Sequence, residues 1–332
     1  MPLINHCNGG GGTPQLCGQV ENFEAGLGNL SATLSWTAPS PDEDNSFVGA
    51  RIVRKIGSAP TGINDGTVVY EGTALTYTDT GLTAGTTYYY RAFAYNAKKR
   101  YQTAYRVINI TAIALNSNFA DNTWEQIITA CHSGGVPDTW VAGDSKTMTI
   151  DGVNYQFDIV GKNHDTYTAG GIAPLTFGLH DCYGTKSKMN DKDTNSTGWN
   201  GSKMRTETLA AILPKMPENI QNGIRAVNKL TATNTADGTI KTTSDKLFTF
   251  SEMEVRGSRT YSYGGEGKQY DYYKAGNSIV KKFGSTAAWW WLRSPHIHGD
   301  TSFCAIDADG LNVNAYNGHA SNSFGVCFGF CF

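Results

Sequence analysis

Ala288-Trp289-Trp290-Trp291-Leu292-Arg293-Ser294-Pro295 is the stretch around which the C-terminal part of this 332-residue chain is organised. Three consecutive tryptophans bury a large apolar area, and each buried indole N–H needs an acceptor. From Ser294 to Phe332 the 39 residues contain no Lys, Glu, Gln, Met or Trp, although these five types make up 47 of the first 293. About six would be expected at that rate. The residue types after the tryptophans were therefore selected by something other than ordinary surface chemistry.

The bulk composition indicates a globular, nearly neutral protein. Hydrophobic residues make up 39% and charged residues 17%, and the formal net charge of −2 argues against attraction to nucleic acid or an anionic membrane. The start, Met1 to Asn8, lacks the charged and apolar regions of a signal peptide. No apolar run approaches the roughly 18 residues of a membrane span. We expect no nucleic-acid partner and no membrane insertion.

The cysteines indicate neither a zinc site nor a full set of disulfides. They show no CxxC spacing, and an odd number cannot all pair. We expect reduced, buried thiols in a protein made in the cytosol. The seven are Cys7, Cys17, Cys131, Cys182, Cys304, Cys327 and Cys331.

The chain divides by pattern into three segments. Residues 1–20 form a tail with Gly9 to Gly12 in a row, which is either a flexible lead or a docking peptide that orders on assembly. Residues 21–112 are predicted to be all-β. Residues 113–332 mix helix and strand signals and are predicted to form an α+β domain.

Short strands separated by turn residues predict a sandwich over residues 21–112. Two signatures within this segment, Leu34-Ser35-Trp36-Thr37-Ala38-Pro39 and Leu82-Thr83-Ala84-Gly85-Thr86-Thr87-Tyr88, resemble the tryptophan strand and tyrosine corner of a fibronectin type III module. The resemblance implies a spacer, with ligand binding by its loops as the alternative. The predicted strands are Leu30–Trp36, Gly49–Ile56, Thr67–Tyr70 and Thr86–Tyr95.

Helix and hairpin signals are clear in the first half of the C-terminal segment. Asn122–Cys131 begins with a capping candidate and spaces apolar residues on one helical face. Asp151-Gly152 lies between two alternating runs and predicts a hairpin. Further helices are predicted over Ser202–Leu213 and Pro217–Val227.

The C-terminal stretch predicts a rigid frame that displays polar residues. Phe303–Asp307 and Leu311–Tyr316 would form a hairpin around Asp309-Gly310, followed by a polar loop, Asn317–Ser323, and a buried strand, Phe324–Phe332. The exposed Asn, His, Ser, Thr, Asp and Tyr side chains would gain contact area at low entropic cost, which is typical of recognition surfaces. A polar surface without a partner is the alternative.

Other polar motifs have simpler explanations than chemistry. His164 beside Asp165, and the cluster His180-Asp181-Cys182, could each supply a general base or metal ligand. Neither accompanies a nucleophile elbow or a second histidine at ligand spacing, so both are predicted to be structural. Tyr263–Lys268 lacks the context of a phosphate loop, and Asp307 with Asp309 is only a fragment of a calcium loop. We predict no catalytic residue, metal ligand or cofactor.

The last 220 residues resemble the C-type-lectin-fold variable proteins of diversity-generating retroelements, whose relatives occur in phage tail and receptor-binding proteins of gut bacteria. The resemblance covers about residues 115–332. Cys327-Phe328 departs from the pattern, because relatives often have Arg-Pro there. The lectin calcium motifs Glu-Pro-Asn and Trp-Asn-Asp do not occur, so calcium-dependent sugar binding is not expected. The matching landmarks are Trp290–Pro295, Phe303, Asp309-Gly310, Gly325–Phe330, Trp124-Glu125, Gly161–Asp165, Met189-Asn190, Gly198-Trp199, Ser202, Arg205, Ser251-Glu252 and Glu254.

The same resemblance offers a cause for the missing residue types. In that family a reverse-transcribed template is mutated at adenines, mainly in AAC codons. Changing either adenine gives Asn, Ser, Thr, Ile, Asp, Gly, Ala, Val, His, Arg, Pro, Leu, Tyr, Cys or Phe. It never gives Lys, Glu, Gln, Met or Trp, the five types missing after Arg293.

The resemblance implies a non-enzymatic receptor-binding protein of a phage tail tip or fibre. Its fold would be an α+β C-type-lectin-like domain (113–332, hypervariable over 294–332) preceded by an all-β fibronectin type III-like sandwich. The scaffold would comprise Trp289, Trp290, Trp291, Leu292 and Arg293. The variable, receptor-binding residues would be His296, Ile297, His298, Asp300, Thr301, Ser302, Asn312, Asn314, Tyr316, Asn317, His319, Ser321, Asn322 and Ser323.

The implied partners are a bacterial cell-surface protein or glycan, other tail proteins bound through the N-terminal region, and further copies of the chain, with a trimer expected by analogy. The protein would be made in the host cytoplasm and reside in the virion. The alternative is a bacterial surface adhesin or carbohydrate-binding module, which needs an export route. The same fold also hosts oxidases that modify a sulfatase cysteine, but their chemistry needs a placed cysteine pair or a metal, and the sequence predicts neither.

Overall fold

A computed structural model of the protein describes residues 18–40, 47–102, 106–312 and 317–332. It forms two compact units, residues 1–115 with 133–135, and residues 116–132 with 136–332. Strands predominate over helices. Most of the predicted tail (1–17) and residues 313–316 of the predicted second hairpin arm lie outside the described residues.

The N-terminal unit is a β-sandwich of two antiparallel sheets. Its strands are β1 (Glu21–Gly28), β2 (Ser31–Thr37), β3 (Phe47–Ile56), β4 (Thr67–Gly72), β5 (Thr76–Thr80), β6 (Thr87–Asn96) and β7 (Val107–Thr111). The two sheets have the strand orders β1-β2-β5 and β4-β3-β6-β7. The four strands predicted from alternation correspond to β2, β3, β4 and β6.

The core of this sandwich contains the residues that the sequence placed on one face. Leu34 and Trp36 are buried in β2, and they belong to one apolar cluster with Tyr88 and Tyr90 of β6. The main-chain N–H of Thr83 donates to Tyr88 Oη at 3.0 Å, which is the bond expected of a tyrosine corner. The prediction of a fibronectin type III-like sandwich is confirmed.

The C-terminal unit contains many short strands. They are β8 (Ser145–Ile150), β9 (Val153–Lys162), β10 (Leu175–Leu179), β11 (Ser187–Lys188), β12 (Val227–Ala232), β13 (Ile240–Asp245), β14 (Phe248–Thr249), β15 (Lys281–Phe283), β16 (Thr286–Ala288), β17 (Trp290–Pro295), β18 (Phe303–Ile306), β19 (Ser323–Phe324) and β20 (Phe328–Cys331). The largest sheet among the described residues of this unit has five strands in the order β14-β20-β10-β9-β8. Two-stranded sheets are formed by β11-β19, β12-β13, β15-β16 and β17-β18.

The helices of this unit are short. The helix predicted over Pro217–Val227 ends early, because Val227 begins β12 and pairs with Asp245. The predicted helix over Ser202–Leu213 contains a π-helical turn, Met204–Leu209. The α-helices are α1 (Trp124–His132), α2 (Ala210–Ile212), α3 (Glu218–Gly223), α4 (Glu252–Arg256) and α5 (Asp271–Lys274), with 3-10 turns at Phe119–Asp121 and Leu213–Lys215. No helix in the described part of the chain has the length and apolarity needed to cross a membrane.

The C-terminal strand lies inside the main sheet. β20 pairs with β10 on one side and β14 on the other, and Phe330 packs against Phe177 with ring centroids 5.3 Å apart. A Cβ atom at Gly329 would lie only 2.7 Å from the carbonyl oxygen of Phe177. The predicted strand over Phe324–Phe332 is split, because Gly325 leaves it to bridge Trp290.

Candidate functional site

The tryptophan run forms the buried base of the candidate site. Trp290 and Trp291 are fully buried, and their indole N–H groups donate to the carbonyl oxygens of Ile279 (3.0 Å) and Ser187 (2.8 Å). Trp289 is half-buried and packs edge-on against Phe324. Leu292 is also fully buried. The polar group of each fully buried ring is therefore satisfied, as its burial requires.

Arg293 anchors the same strand in a buried network of charges. Its guanidinium contacts both carboxylate oxygens of Glu254, and Lys229 bridges Glu254 (2.6 Å) and Asp165 (2.8 Å). Despite burial, the nearby cations Arg293 and Lys229 lower the pKa of Glu254, and Lys229 helps to lower that of Asp165 to about 2. Paired charges of this kind hold β17 in one position, because an unpaired buried charge is strongly unfavourable.

Glu266 is the exception in this network. It accepts hydrogen bonds from the main-chain N–H of Ala232 (2.8 Å) and from the hydroxyl of Ser294. Burial raises its pKa to about 7, against the opposing effect of these bonds. The Glu266 carboxyl, which contacts Ser294 at the start of the segment Ser294–Phe332, therefore gains and loses its proton near neutral pH.

The loop His296–Ser302 is held mainly through its main chain. The side-chain amide of Asn195 donates to the carbonyl oxygens of Gly299 (3.0 Å) and Ser302 (2.7 Å). The main-chain N–H of Asn195 donates to the carbonyl oxygen of Asp300 (2.7 Å). The Thr235 hydroxyl donates to the carbonyl oxygen of His296 (2.6 Å). Because the loop contributes main-chain atoms to these contacts, they do not depend on its exposed side chains.

The loop Asn317–Ser323 is held in the same way. The main-chain N–H of Asn190 donates to the carbonyl oxygen of Ala320 (2.9 Å), and Asp193 accepts from the main-chain N–H of Ser321 (2.9 Å). The two loops also meet directly, since Ser302 pairs with His319. We call His296–Ser302, Asn317–Ser323 and Asn312 together the display surface.

The predicted binding residues differ in exposure. His298, Asp300, Asn317 and Ser323 are exposed, whereas Ile297, Thr301, Asn312, His319, Ser321 and Asn322 are partly buried. His296 and Ser302 are buried, because both carry main-chain hydrogen bonds that close the loop. Their assignment to the receptor-binding set stays a prediction. Asn314 and Tyr316 lie outside the described residues.

His296 instead supports the surface from below. Its ring stacks on Tyr261 with centroids 4.7 Å apart, and Tyr261 also meets His298 edge-on. Burial and the neighbouring His298 lower the pKa of His296 to about 4. The ring is therefore neutral at neutral pH and packs as an aromatic group.

Asn312 is held by its side chain as well as by a main-chain bridge with Ile306. Its carbonyl oxygen accepts from Arg256 Nε at 2.7 Å, and its amide donates to the buried Glu252. Glu252 also accepts from the main-chain N–H of Tyr261 and Ser262. Substitution of Asn312 would therefore remove its hydrogen bonds to Arg256 and Glu252. We expect it to disturb the surrounding residues more than substitution of His298 would.

The side chains that support the surface carried little signal in the sequence. Asp193, Asn195, Thr235 and Tyr261 belong to no motif and resemble the ordinary polar residues of loops. Ser251, whose hydroxyl accepts from the main-chain N–H of Glu254, did carry a signal, namely the Ser-x-x-Glu pattern of a capping box. The supports were missed because their partners are distant in the chain.

The other candidate motifs form different groupings from those suggested by adjacency. Asp165 accepts from Lys229, Tyr270 and Thr176, while the His164 ring stacks on Tyr270. His180 pairs with Asp158 through Nδ1 at 2.8 Å, and this bond raises the pKa of His180. No group of three or more His, Cys, Asp or Glu side chains suited to a metal occurs among the described residues.

One cysteine pair was not foreseen. The five described cysteines are buried and unbridged, yet Cys182 Sγ and Cys327 Sγ lie 3.4 Å apart. This contact had no signal in the sequence, and the expectation that the chain lacks the cysteine pair of an oxidase stays a prediction. The two residues are 145 positions apart, and only the fold brings them together.

Comparisons with known proteins find two partial similarities. A family model described as "Domain of unknown function (DUF6273)" matches residues 175–328, and no curated protein matches the chain. Among solved structures, the chain is similar to the FN1–FN3 domains of chicken CNTN1, at 15% identity and a TM-score of 0.25, covering 29% of this chain and 32% of that one. It is also similar to a domain of human fibronectin type III domain containing protein 3, at 18% identity and a TM-score of 0.27, covering 34% of this chain and 100% of that one. The FN5 domain of Drosophila Lar matches at 18% identity and a TM-score of 0.22, covering 30% of this chain and 99% of that one.

Proposed function

We propose that the protein is a non-enzymatic receptor-binding component of a phage tail tip or fibre. Its C-terminal unit would be a C-type-lectin-like domain whose display surface binds a protein or glycan on a bacterial cell. Diversification by adenine-directed mutagenesis of a retroelement would supply the variation. The N-terminal region would attach it to other tail proteins, and a trimer in the virion is the assembly proposed.

One observation carries this proposal. The segment that lacks Lys, Glu, Gln, Met and Trp is also the segment whose loops are held through main-chain atoms by Asn195, Thr235 and Asp193. Such anchoring supports varied side chains at constant loop geometry, which a receptor-binding surface under diversification needs. The fully buried rings of Trp290 and Trp291 remove flexibility that binding would otherwise have to overcome.

The first test is genetic. The DNA beside the gene should contain a near-identical repeat of its 3′ coding end, differing at adenines, together with a reverse transcriptase gene. Tail genes nearby would favour the virion assignment, whereas a secretion cassette would favour the alternative of a bacterial surface adhesin. The absence of both the repeat and the reverse transcriptase gene would contradict the proposed diversification.

The second test is binding of fluorescently labelled protein to a panel of bacterial cells. Replacing His298, Asn314 and Tyr316 by Ala should abolish binding and leave the melting temperature unchanged. Asp138→Ala is the matched control, because Asp138 is fully exposed and lies outside the display surface. An equal loss of stability and binding in the triple variant would refute the role of these side chains in recognition.

An oxidase remains the second candidate because of the Cys182–Cys327 contact alone. Oxidases of the proposed C-type-lectin-like fold need a placed cysteine pair or a metal, and copper analysis of purified protein tests the idea. Stoichiometric copper, lost in Cys182→Ser, would favour the enzyme. Protein without copper after expression in copper-supplemented medium would leave receptor binding as the better assignment.

A further inference from the structure

We propose that a cleft in the C-terminal unit, separate from the display surface, binds a neutral saccharide. The cleft has a volume of about 500 Å³ and lies between the start of β9, the segment after β10, and the β15–β16 hairpin. Cavities of roughly 300–1,000 Å³ are typical of small-molecule sites. None of its lining residues belongs to the display surface, so the two sites are separate.

The walls of this cleft are tied together by hydrogen bonds. Lys281 Nζ donates to the carbonyl oxygen of Leu179 (2.8 Å), and the main-chain N–H of Lys282 donates to Asp181 Oδ1 (2.7 Å). The main-chain N–H of Cys182 donates in turn to the carbonyl oxygen of Lys282 (2.8 Å). The hairpin is therefore fastened to the end of β10 and to the segment after it at three points, and the cleft needs little rearrangement to receive a ligand.

Two aromatic rings line the cleft. Tyr155 stacks on Tyr183 with centroids 4.9 Å apart, and its hydroxyl accepts from the main-chain N–H of Gly184. Phe283 lies at the other wall, with the Lys186 ammonium 5.4 Å from its ring centre. Tyr183 covers one face of Tyr155, and the proposed ligand would pack on the opposite face. Fixed rings of this kind offer an apolar surface for the C–H face of a pyranose.

Polar groups stand beside these rings. His180 Nδ1 is held by the buried Asp158 at 2.8 Å, which leaves Nε2 for a ligand hydroxyl. Gln156, whose amide also donates to Asp158 (3.4 Å), and the Asp181 carboxylate line the same cleft. Because Lys282 occupies Asp181 Oδ1, Oδ2 is the oxygen proposed to accept from a ligand. Hydroxyl groups both donate and accept hydrogen bonds, so a polyol is the ligand that can use a histidine, an amide and a carboxylate together.

The charges of the cleft favour a neutral ligand. Among the lining residues Asp181 and Lys282 carry opposite charges that offset each other, and the His180 ring is bonded to Asp158. The Lys281 ammonium in the wall is already bonded to the carbonyl oxygen of Leu179. A second cavity of about 400 Å³ is less suited, since Asp165 and Glu254 at its wall already pair with buried cations. The combination of apolar rings, hydroxyl partners and balanced charge points to an uncharged sugar unit.

Saturation-transfer difference NMR on the full chain tests the proposal, with the methyl glycosides of glucose, galactose, mannose and N-acetylglucosamine as probes. We expect at least one to bind with a dissociation constant of about 1 mM. Tyr155→Ala and Phe283→Ala should each weaken that binding at least about tenfold. Gln156→Ala, which changes an exposed side chain, should weaken it too and serves if the aromatic variants fail to fold.

The controls separate this site from the rest of the molecule. Tyr89→Ala removes a half-buried tyrosine from the N-terminal unit, and it should leave saccharide binding unchanged. His298→Ala should also bind the glycosides like the unaltered protein, whatever it does to bacterial-cell binding. Failure of all four glycosides to bind, or binding that survives in the Tyr155, Phe283 and Gln156 variants, would overturn the proposal.

Discussion

Replacing Arg293 by methionine tests how far the buried charges hold the base of the display surface. Arg293 is fully buried, with Nη1 2.5 Å from Glu254 Oε2 and Nη2 2.8 Å from Glu254 Oε1. Methionine keeps an apolar chain in the site but removes the charge. Lys229 would then be the sole close cation for the two buried carboxylates of Glu254 and Asp165 within the described network.

The magnitude follows from these contacts. Removing one partner of a buried ion pair destabilises a protein by about 3–5 kcal/mol. Arg293 also donates to Thr231 Oγ1 (2.9 Å) and to the carbonyl oxygen of Thr249 (2.8 Å), and acceptors left unsatisfied in the interior add about 1–3 kcal/mol. We expect the free energy of unfolding of the C-terminal unit to fall by at least about 4 kcal/mol.

Urea denaturation followed by tryptophan fluorescence measures this change, since six of the seven tryptophans lie in the C-terminal unit. Glu254→Gln combined with Arg293→Met should lose less stability than the sum of the single variants, because the neutral amide no longer needs a cation. Lys203→Met, at an exposed ion pair with Asp191, is the matched control and should unfold like the unaltered protein. A loss below about 1 kcal/mol in Arg293→Met, or strict additivity, would refute the reasoning.

Three further predictions concern other parts of the chain. Tyr88→Phe removes the 3.0 Å bond from the Thr83 N–H and should destabilise the N-terminal unit by about 1 kcal/mol, measured as a lower urea midpoint than that of Tyr89→Phe. Glu266 binds its proton more tightly in the folded protein, so stability should fall by up to about 3 kcal/mol as pH rises from 4.5 to 7. Glu266→Gln should flatten that part of the pH profile, and an unchanged slope would contradict the assignment. Oxidised glutathione should convert the Cys182 and Cys327 thiols, 3.4 Å apart, into a disulfide and should itself be reduced to two glutathione thiols. Peptide mass mapping detects the new disulfide. The buried Cys304 should form no disulfide. A disulfide at Cys304, or none between Cys182 and Cys327, would show that the 3.4 Å contact does not govern pairing.

Local patterns in the sequence determined several elements of the fold. Alternation and turn residues located the strands β2, β3, β4 and β6, and the Leu82–Tyr88 signature located the tyrosine corner. The Asp151-Gly152 turn and the apolar spacing of Asn122–Cys131 likewise correspond to the β8–β9 hairpin and to α1. These features depend on neighbours in the chain, which is why a single sequence contains the information for them.

The composition of the last 39 residues is also a property of the sequence alone. It separates the segment Ser294–Phe332, which lacks Lys, Glu, Gln, Met and Trp, from the tryptophan run before it, without any reference to coordinates. Which members of that segment face solvent is a different question. His296 and Ser302 share the polar character of His298 and Asp300 but are buried, because hydrogen bonds from distant residues decide how the loop closes.

Tertiary structure alone decided the long-range pairings. Arg293 meets Glu254 across 39 positions, Asn195 meets Ser302 across 107, and Cys182 meets Cys327 across 145. No local spacing encodes these contacts, since each depends on the path of several intervening strands. The sequence thus determined which residues are available to the display surface, and the packing of distant polar side chains decided which of them it presents.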